Sequence, residues 1–209
     1  MLKREVVRMP ARSESRSASS RVRTRSRGNV GSNAAAERVV LRGGETVVIR
    51  PLISGDEAAV AGWFEALSAE TRYARFLSCQ KRLDRRTQSD LATVDHFDRE
   101  AVAAVATDGS TIGIAGYTRV GTSSTAELAV AVADSWLGQG IATMLLERVT
   151  ALARTRGFGC FTALCLASNH PVIRLLSRLG PTTVGAADVG LVELRIDLNS
   201  TRAAPRPSI

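Results

Sequence analysis

The stretch STAELAVAVADSWLGQGIATMLLERV, residues 124–149, constrains this chain more than any other. AELAVAVAD is apolar on both of its alternating faces, which is the pattern of a strand buried on both sides. It runs directly into Gly138 and Gly140, and GIATMLLERVTALARTRG then carries apolar residues at helical spacing, with Gly157 placed to end the helix. A buried strand that passes through glycines into a helix is the unit of an α/β protein. It also brings several backbone N–H groups and the positive end of a helix to one point, with little side-chain bulk, which suits an anion such as a pyrophosphate. Two phosphate-binding patterns do not fit. The dinucleotide fingerprint needs a third glycine where Thr143 stands, and an acid at the end of the next strand, CFTALCLA, which has none. The Walker pattern needs a Gly-Lys-Ser/Thr that is absent here.

The rest of the body alternates between strand and helix patterns. ETVVIRPLI (45–53) reads as a strand. Asp56 then reads as the cap of a helix with Val60, Trp63, Phe64 and Leu67 on its apolar face. AETRYARFLS and RRTQSDLATV read as two further helical pieces. REAVAAVA and TIGIAGYTRV flank the turn signal Asp108-Gly109 and read as a hairpin. After the glycine segment come the strand CFTALCLA, the helix SNHPVIRLLSRLG and a final hairpin, TTVGAADVGLVELRIDL. The predicted order is a strand, helices, three strands, helix, strand, helix and two strands.

The formal charge of +8 is concentrated in one place. Residues 1–37 hold nine basic and three acidic groups, a net of +6, and the remaining 172 residues carry a net of only +2. SESRSASSRVRTRSRGNVGSN has no apolar period, so residues 1–43 are expected to be a disordered Arg/Ser-rich arm. Residues 44–199 are expected to form the folded domain and 200–209 a flexible tail. The nearly neutral body argues against a nucleic-acid coat, leaving weak polyanion contact through the arm as the most that is expected. The longest apolar runs cover about six residues, far short of a membrane span of about 20. Three cysteines without CxxC spacing point to neither a disulfide framework nor a zinc site, and the expectation is a cytoplasmic chain that binds no metal.

The glycine segment resembles the acetyl-CoA-binding motif of the GNAT family of N-acetyltransferases, Gln/Arg-x-x-Gly-x-Gly/Ala. Gly140 and Ala142 match its last two fixed positions, and Leu137 departs from the first. SNHPVIRLLSRLG is similar to the family's next motif, with Asn169 at the helix start. VVIRPLISGDEAAVAGWFEALSAETRYARF and VDHFDREAVAAVA resemble one branch, the acetyltransferase domains of bacterial Pat-type protein-lysine acetyltransferases. The resemblance spans about residues 45–198. It implies a mixed central sheet splayed at the acetyl-CoA site, with helices on both faces. It further implies that acetyl-CoA, as cosubstrate, lies on the backbone of Gly138, Gln139, Gly140, Ile141, Ala142 and Thr143. The strand residues Val130, Ala131 and Val132 would pair with the pantetheine arm, and Asn169 would touch it. The Val132 region is a candidate oxyanion donor.

An amine must lose a proton before it attacks a thioester, and a free lysine with a pKa near 10.4 is almost wholly charged at pH 7. A positioned carboxylate answers that need. Glu127 opens an otherwise apolar strand, with Leu128, Val130 and Val132 on the opposite face. The Ala126-Glu127 pair resembles the branch's base. A plain carboxylate at a strand end remains the alternative. Many family members carry a tyrosine acid four residues before the motif's closing glycine, but that position is Leu176 here. The two tyrosines are Tyr73 and Tyr117, so the leaving thiolate is expected to take its proton from solvent or another group. His96, between Asp95 and Asp98, is expected to have a surface role, with its charged form favoured by these neighbours, and is the reserve candidate for the base. Asp134 and Trp136 are expected to shape the phosphate loop. Arg72, Tyr73 and Arg75 resemble a branch signature near the acceptor. The resulting expectation is an N-acetyltransferase that acts on an amine, with a protein lysine as the leading acceptor by resemblance. The rivals are a small-amine enzyme for polyamines or antibiotics, and a non-catalytic module that senses acyl-CoA.

Overall fold

The computed structural model describes residues 36–200. Its strands are β1 (Glu37–Val40), β2 (Thr46–Pro51), β3 (Arg99–Ala106), β4 (Thr111–Arg119), β5 (Thr125–Val132), β6 (Cys160–Leu166), β7 (Thr182–Asp188) and β8 (Leu191–Asp197). Its helices are α1 (Glu57–Glu65), α2 (Ala69–Phe76), α3 (Arg85–Ala92), α4 (Ile141–Thr155) and α5 (His170–Leu176). The strands form one sheet in the order β1-β2-β3-β4-β5-β6-β8-β7, antiparallel throughout except for β5 beside β6.

The alternating strands read from the sequence are present, with one addition. ERVV forms β1, paired antiparallel to β2 with Glu37 opposite Ile49. The folded domain therefore begins inside the segment assigned to the arm, since β1 only needs the edge of β2 to pair with. The rest of the proposed arm, and the tail from residue 201, lie outside the described residues.

The sheet has a core on each face. On one, α4 and α5 bury Leu128, Val132, Leu145, Val149, Phe161 and Leu194. On the other, Val60, Trp63, Phe64 and Leu67 of the α1 segment cover Ala101, Ala103 and Ala131. The alanines of β3 leave room for the aromatic side chains above them. Gly180 allows another close approach: a Cβ there would stand 2.0 Å from the Asp197 carbonyl oxygen, so the chain leaves α5 along a path open only to glycine.

Two polar residues act differently from their sequence reading. Asp56 precedes α1 but makes no side-chain cap. Its carboxylate takes a two-pronged contact from Arg50, at 2.7 and 2.9 Å, and a third bond from the Ile53 N–H. The Arg50 hydrogen bonds hold this carboxyl below its usual range. The end of α1 is closed instead by Arg72, whose guanidinium donates to the carbonyls of Phe64, Glu65 and Lys81. The Phe64 and Glu65 carbonyls belong to the last turn of α1, where side-chain donors supplement the backbone. Gly157 stands one residue beyond the helix cap Arg156, with φ +79°.

Among the described residues, no helix is long and apolar enough to cross a membrane.

Candidate functional site

The site is built around a fork in the sheet. β5 and β6 pair in parallel over Thr125–Glu127 and Cys160–Thr162. Beyond that point β5 continues beside β4 alone, and β6 beside β8 alone. Val130, Ala131 and Val132 thus lie on a strand edge that no neighbouring strand covers, and backbone groups there remain open to an extended ligand.

Both diverging strands end at the same side of the sheet, where open α/β sheets place their ligands. After β5, the chain makes a short 3-10 turn at Asp134–Trp136 and reaches α4 through Gly138 and Gly140. Their φ values are +77° and +89°, in the left-handed region that favours glycine. A Cβ at either would meet nothing within 4 Å, so the space in front of this loop is open. Gly140 is the N-cap of α4 and supplies no side-chain acceptor, which leaves the first helical N–H groups for a ligand. Leu137 is 58% exposed, and the side-chain carbonyl of Gln139 is buried without a partner. After β6, Asn169 caps α5 by accepting from the Val172 N–H at 3.3 Å. Gly138–Thr143 and Asn169 therefore flank the open end of the fork.

Glu127 stands at the vertex, the last β5 residue in the parallel ladder, opposite Thr162 on one side and Thr118 on the other. Ala126 and Leu128 belong to the core under α4, whereas Ala131 belongs to the core under α1. Strand alternation therefore turns Glu127 toward the α1–α3 face. Among the described residues it makes no ion pair within 4 Å.

Asp134 ties the two faces together. Its carboxylate accepts from the Ser68 N–H at 2.7 Å, the Ser68 hydroxyl at 2.8 Å and the Thr71 hydroxyl at 2.8 Å. Burial opposes its ionisation, but these donors prevail and hold its carboxyl below the usual range. Asp134 thus pins the start of α2 to the end of β5, a long-range role beyond the local turn. Trp136 packs against the core beneath α4.

A second polar cluster escaped the sequence reading. Glu100 of β3 is buried, and its carboxylate accepts from His96 Nδ1 at 3.0 Å, the Ala101 N–H at 3.1 Å and Arg156 Nη1 at 2.6 Å. Arg156 also donates to the Tyr117 hydroxyl at 3.0 Å, which donates in turn to the Phe97 carbonyl at 3.3 Å. Burial raises the Tyr117 phenol despite Arg156 beside it. Register places Glu100, Tyr117 and Leu128 in one row, on the face opposite Glu127. His96 is therefore separated from Glu127 by the sheet and answers to Glu100, whereas Asp95 accepts from the N–H groups of Phe97 and Arg99, and Asp98 pairs with Arg119. Leu176 is a buried core residue of α5, and neither Tyr73 on α2 nor Tyr117 on β4 belongs to that helix.

Comparison with known proteins agrees with this architecture. Residues 62–180 match the acetyltransferase (GNAT) family. The chain is 31% identical over 169 residues to the acetyltransferase Pat of Mycolicibacterium smegmatis, covering 80% of this chain and 50% of that protein. It thus spans about half the length of this relative. The GNAT domain of S. lividans PAT superimposes with a TM-score of 0.72 at 31% identity, covering 78% of this chain and 97% of that one. A Salmonella typhimurium structure with acetyl-CoA as its cofactor shares the fold, with a TM-score of 0.60 at 21% identity, over 78% of this chain and 99% of that one. A forked mixed sheet with glycines at the mouth, a family match over more than half the chain, and a relative at 31% identity lead to one assignment: the chain belongs to the GNAT family of acetyltransferases.

Proposed function

We propose that the chain transfers an acetyl group from acetyl-CoA to an amine, with a protein lysine as the acceptor and Glu127 as the general base. The observation that carries this reading is the position of Glu127 at the vertex of the fork, turned away from the face that bears the glycine loop. The cosubstrate would supply an activated acyl group as a thioester. Its fit is supported by the open cradle at Gly138 and Gly140, the uncapped start of α4 and the unpaired edge of β5. A related fold holds acetyl-CoA, and the resemblance to Pat-type protein-lysine acetyltransferases supports a protein acceptor.

In this reading, the N–H groups from Gly138 to Thr143 bind the pyrophosphate, and Val130–Val132 pair with the pantetheine arm. Asn169 lies beside that arm from the other branch of the fork. Glu127 accepts the amine's proton as the nitrogen attacks, directly or through a water. A backbone N–H near Val132 would oppose the negative charge that develops on the carbonyl oxygen. No tyrosine serves the departing thiolate, and a thiol is acidic enough to leave without one. A cytoplasmic location is part of this proposal, with the basic arm dispensable for the chemistry.

Two experiments test it. Mass spectrometry of acetylated proteins, in cells with and without the chain, should show a set of lysines that lose acetylation. Turnover on small amines with no change in protein acetylation would favour the small-amine enzyme instead. For the cradle, Gly140→Asp would place a Cβ and a carboxylate where phosphate is bound. Calorimetry should show acetyl-CoA affinity at least about tenfold lower, since like charges sharing a site cost on the order of 1–3 kcal/mol. A folded variant of unchanged affinity would move the pyrophosphate elsewhere.

A further inference from the structure

Among the described residues, the strongest unspent group is Arg75. α2 begins at Ser68, where Asp134 pins it to the carboxyl end of β5. Thr71 is held by the same carboxylate, and Arg75 follows four residues later on the same side of the helix, about one turn or 6 Å further along. α2 thus runs from the mouth of the fork along the face to which Glu127 points, with Phe76 packed edge-on against Trp63 and Phe64. Arg72, on the adjoining turn, is fully occupied by three carbonyls.

Arg75 is not. Its Nε is buried and has no partner, and among the described residues its guanidinium makes no hydrogen bond or ion pair. The Ser78 hydroxyl, three residues on, is also buried and unpartnered. The guanidinium carbon lies 4.9 Å from the centre of the Phe76 ring, which steadies the group without using its N–H donors. Burial lowers its pKa to about 10, and the nearest opposing influence is the Glu127 carboxylate. The group is therefore still charged at neutral pH. The residue as a whole is half-buried, so the desolvation falls on the Nε, and a buried N–H without an acceptor is costly.

We infer that Arg75 is an anchor for the acceptor, binding a carboxylate that the acceptor carries close to the amine presented to Glu127. The planar fork of a guanidinium matches a carboxylate with two parallel hydrogen bonds. A bare ammonium acceptor would meet repulsion from Arg75. A carboxylate on the same molecule removes that repulsion and fills the empty donors. The carboxylate can come from two sources: an acidic side chain next to a target lysine, or the α-carboxylate of a free amino acid. The inference rests on the proposed function in one respect, that Glu127 marks the acceptor side.

The test compares acceptors that differ only in that charge. One arm uses short blocked peptides with Glu-Lys or Gln-Lys at the centre, and the other uses lysine and lysinamide. The wild-type protein should prefer the carboxylate partner by at least about tenfold in kcat/KM in one arm, which identifies the source. Arg75→Met should reduce that preference to within about twofold, and Arg75→Lys should retain part of it. Arg75→Met should melt at or above the wild-type temperature, because an apolar replacement removes a buried N–H that has no acceptor. If it does not fold, Arg75→Lys decides alone by a reduced preference.

Calorimetry with the same four ligands, in the presence of CoA, reads the preference without turnover. Glu127→Gln separates the two ideas. If it abolishes turnover and keeps the carboxylate preference in binding, both hold; if it turns over normally, the base assignment falls while the anchor is judged on binding. Equal binding of carboxylate and amide partners in both arms, or a preference that survives in Arg75→Met, overturns the anchor.

Discussion

Glu127→Gln should lower turnover by about 10²–10⁴-fold at pH 7, the usual contribution of a general base. The substitution preserves shape and removes only the capacity to accept a proton. Glu127 makes no ion pair within 4 Å among the described residues, so no salt bridge is broken and the melting temperature should hold. Acetyl-CoA affinity should also hold, because the proposed cradle is backbone at the other end of β5. The deficit should shrink as pH rises toward the amine's own pKa near 10.4, where less deprotonation is left to catalyse. A pH–rate profile of the two proteins on one amine separates three readings. An acyl-CoA-sensing module turns over in neither form, a carboxylate without a catalytic role shows no loss, and a base shows a loss that fades at high pH.

The second large effect is on stability. Glu100→Ala should destabilise the domain by about 3–5 kcal/mol and lower its melting temperature by about 6–20 °C. Its carboxylate is the common acceptor for Arg156, His96 and the Ala101 N–H, all of which lose their partner together. Arg156 is the residue that ends α4, so the loss also frees the far end of the helix that begins at the glycine loop. His96 sits at φ +56°, a conformation that needs support from its surroundings. Glu100→Gln, which can still accept, should cost less. Thermal melts of the two variants would check the order, and a Glu100→Ala protein as stable as the wild type would show that Tyr117 and water satisfy Arg156 unaided.

What could be read from the sequence was what depends on neighbours along the chain. The periods of β3, β4, α4 and the last hairpin are local, and so is the glycine pair before α4. β1 was missed because ERVV is four residues long and follows a polar tract, so its strand character comes from the β2 edge. Asp56 reads as a helix cap and Asp134 as part of the phosphate loop, both local roles for short acids near element ends. Their actual partners, Arg50 in one case and Ser68 and Thr71 in the other, are fixed by tertiary placement. The Glu100 cluster spans residues 96 to 156 and exists only once β3, β4 and the end of α4 are in register. An AVAAVA run beside a glutamate was the one available signal, since a strand buried on both faces has no solvent for its acid. Arg75 was visible only as part of ETRYARF, by resemblance to a branch signature; that its Nε is buried without a partner depends on what the helix packs against.

The fork also divides the sheet mechanically. β5 meets β6 over three residue pairs, whereas the ladders on either side, β4–β5 and β6–β8, each run over seven. The strands of this seam are separated in sequence by the whole of α4, so closing it costs more chain entropy than folding the β4–β5 hairpin beside it. The seam should therefore be the weakest line in the sheet, and the protein has placed its candidate chemistry there. Native-state hydrogen exchange should find the amides of 125–127 and 160–162 opening before those in the centre of β4. A coenzyme lying in the fork would act as a splint across that line, slowing exchange on both sides and adding about 2.7 kcal/mol of stability at a hundredfold excess over its Kd. Seam amides as well protected as the centre of β4, with or without ligand, would mean that the helices alone hold the two parts of the sheet together.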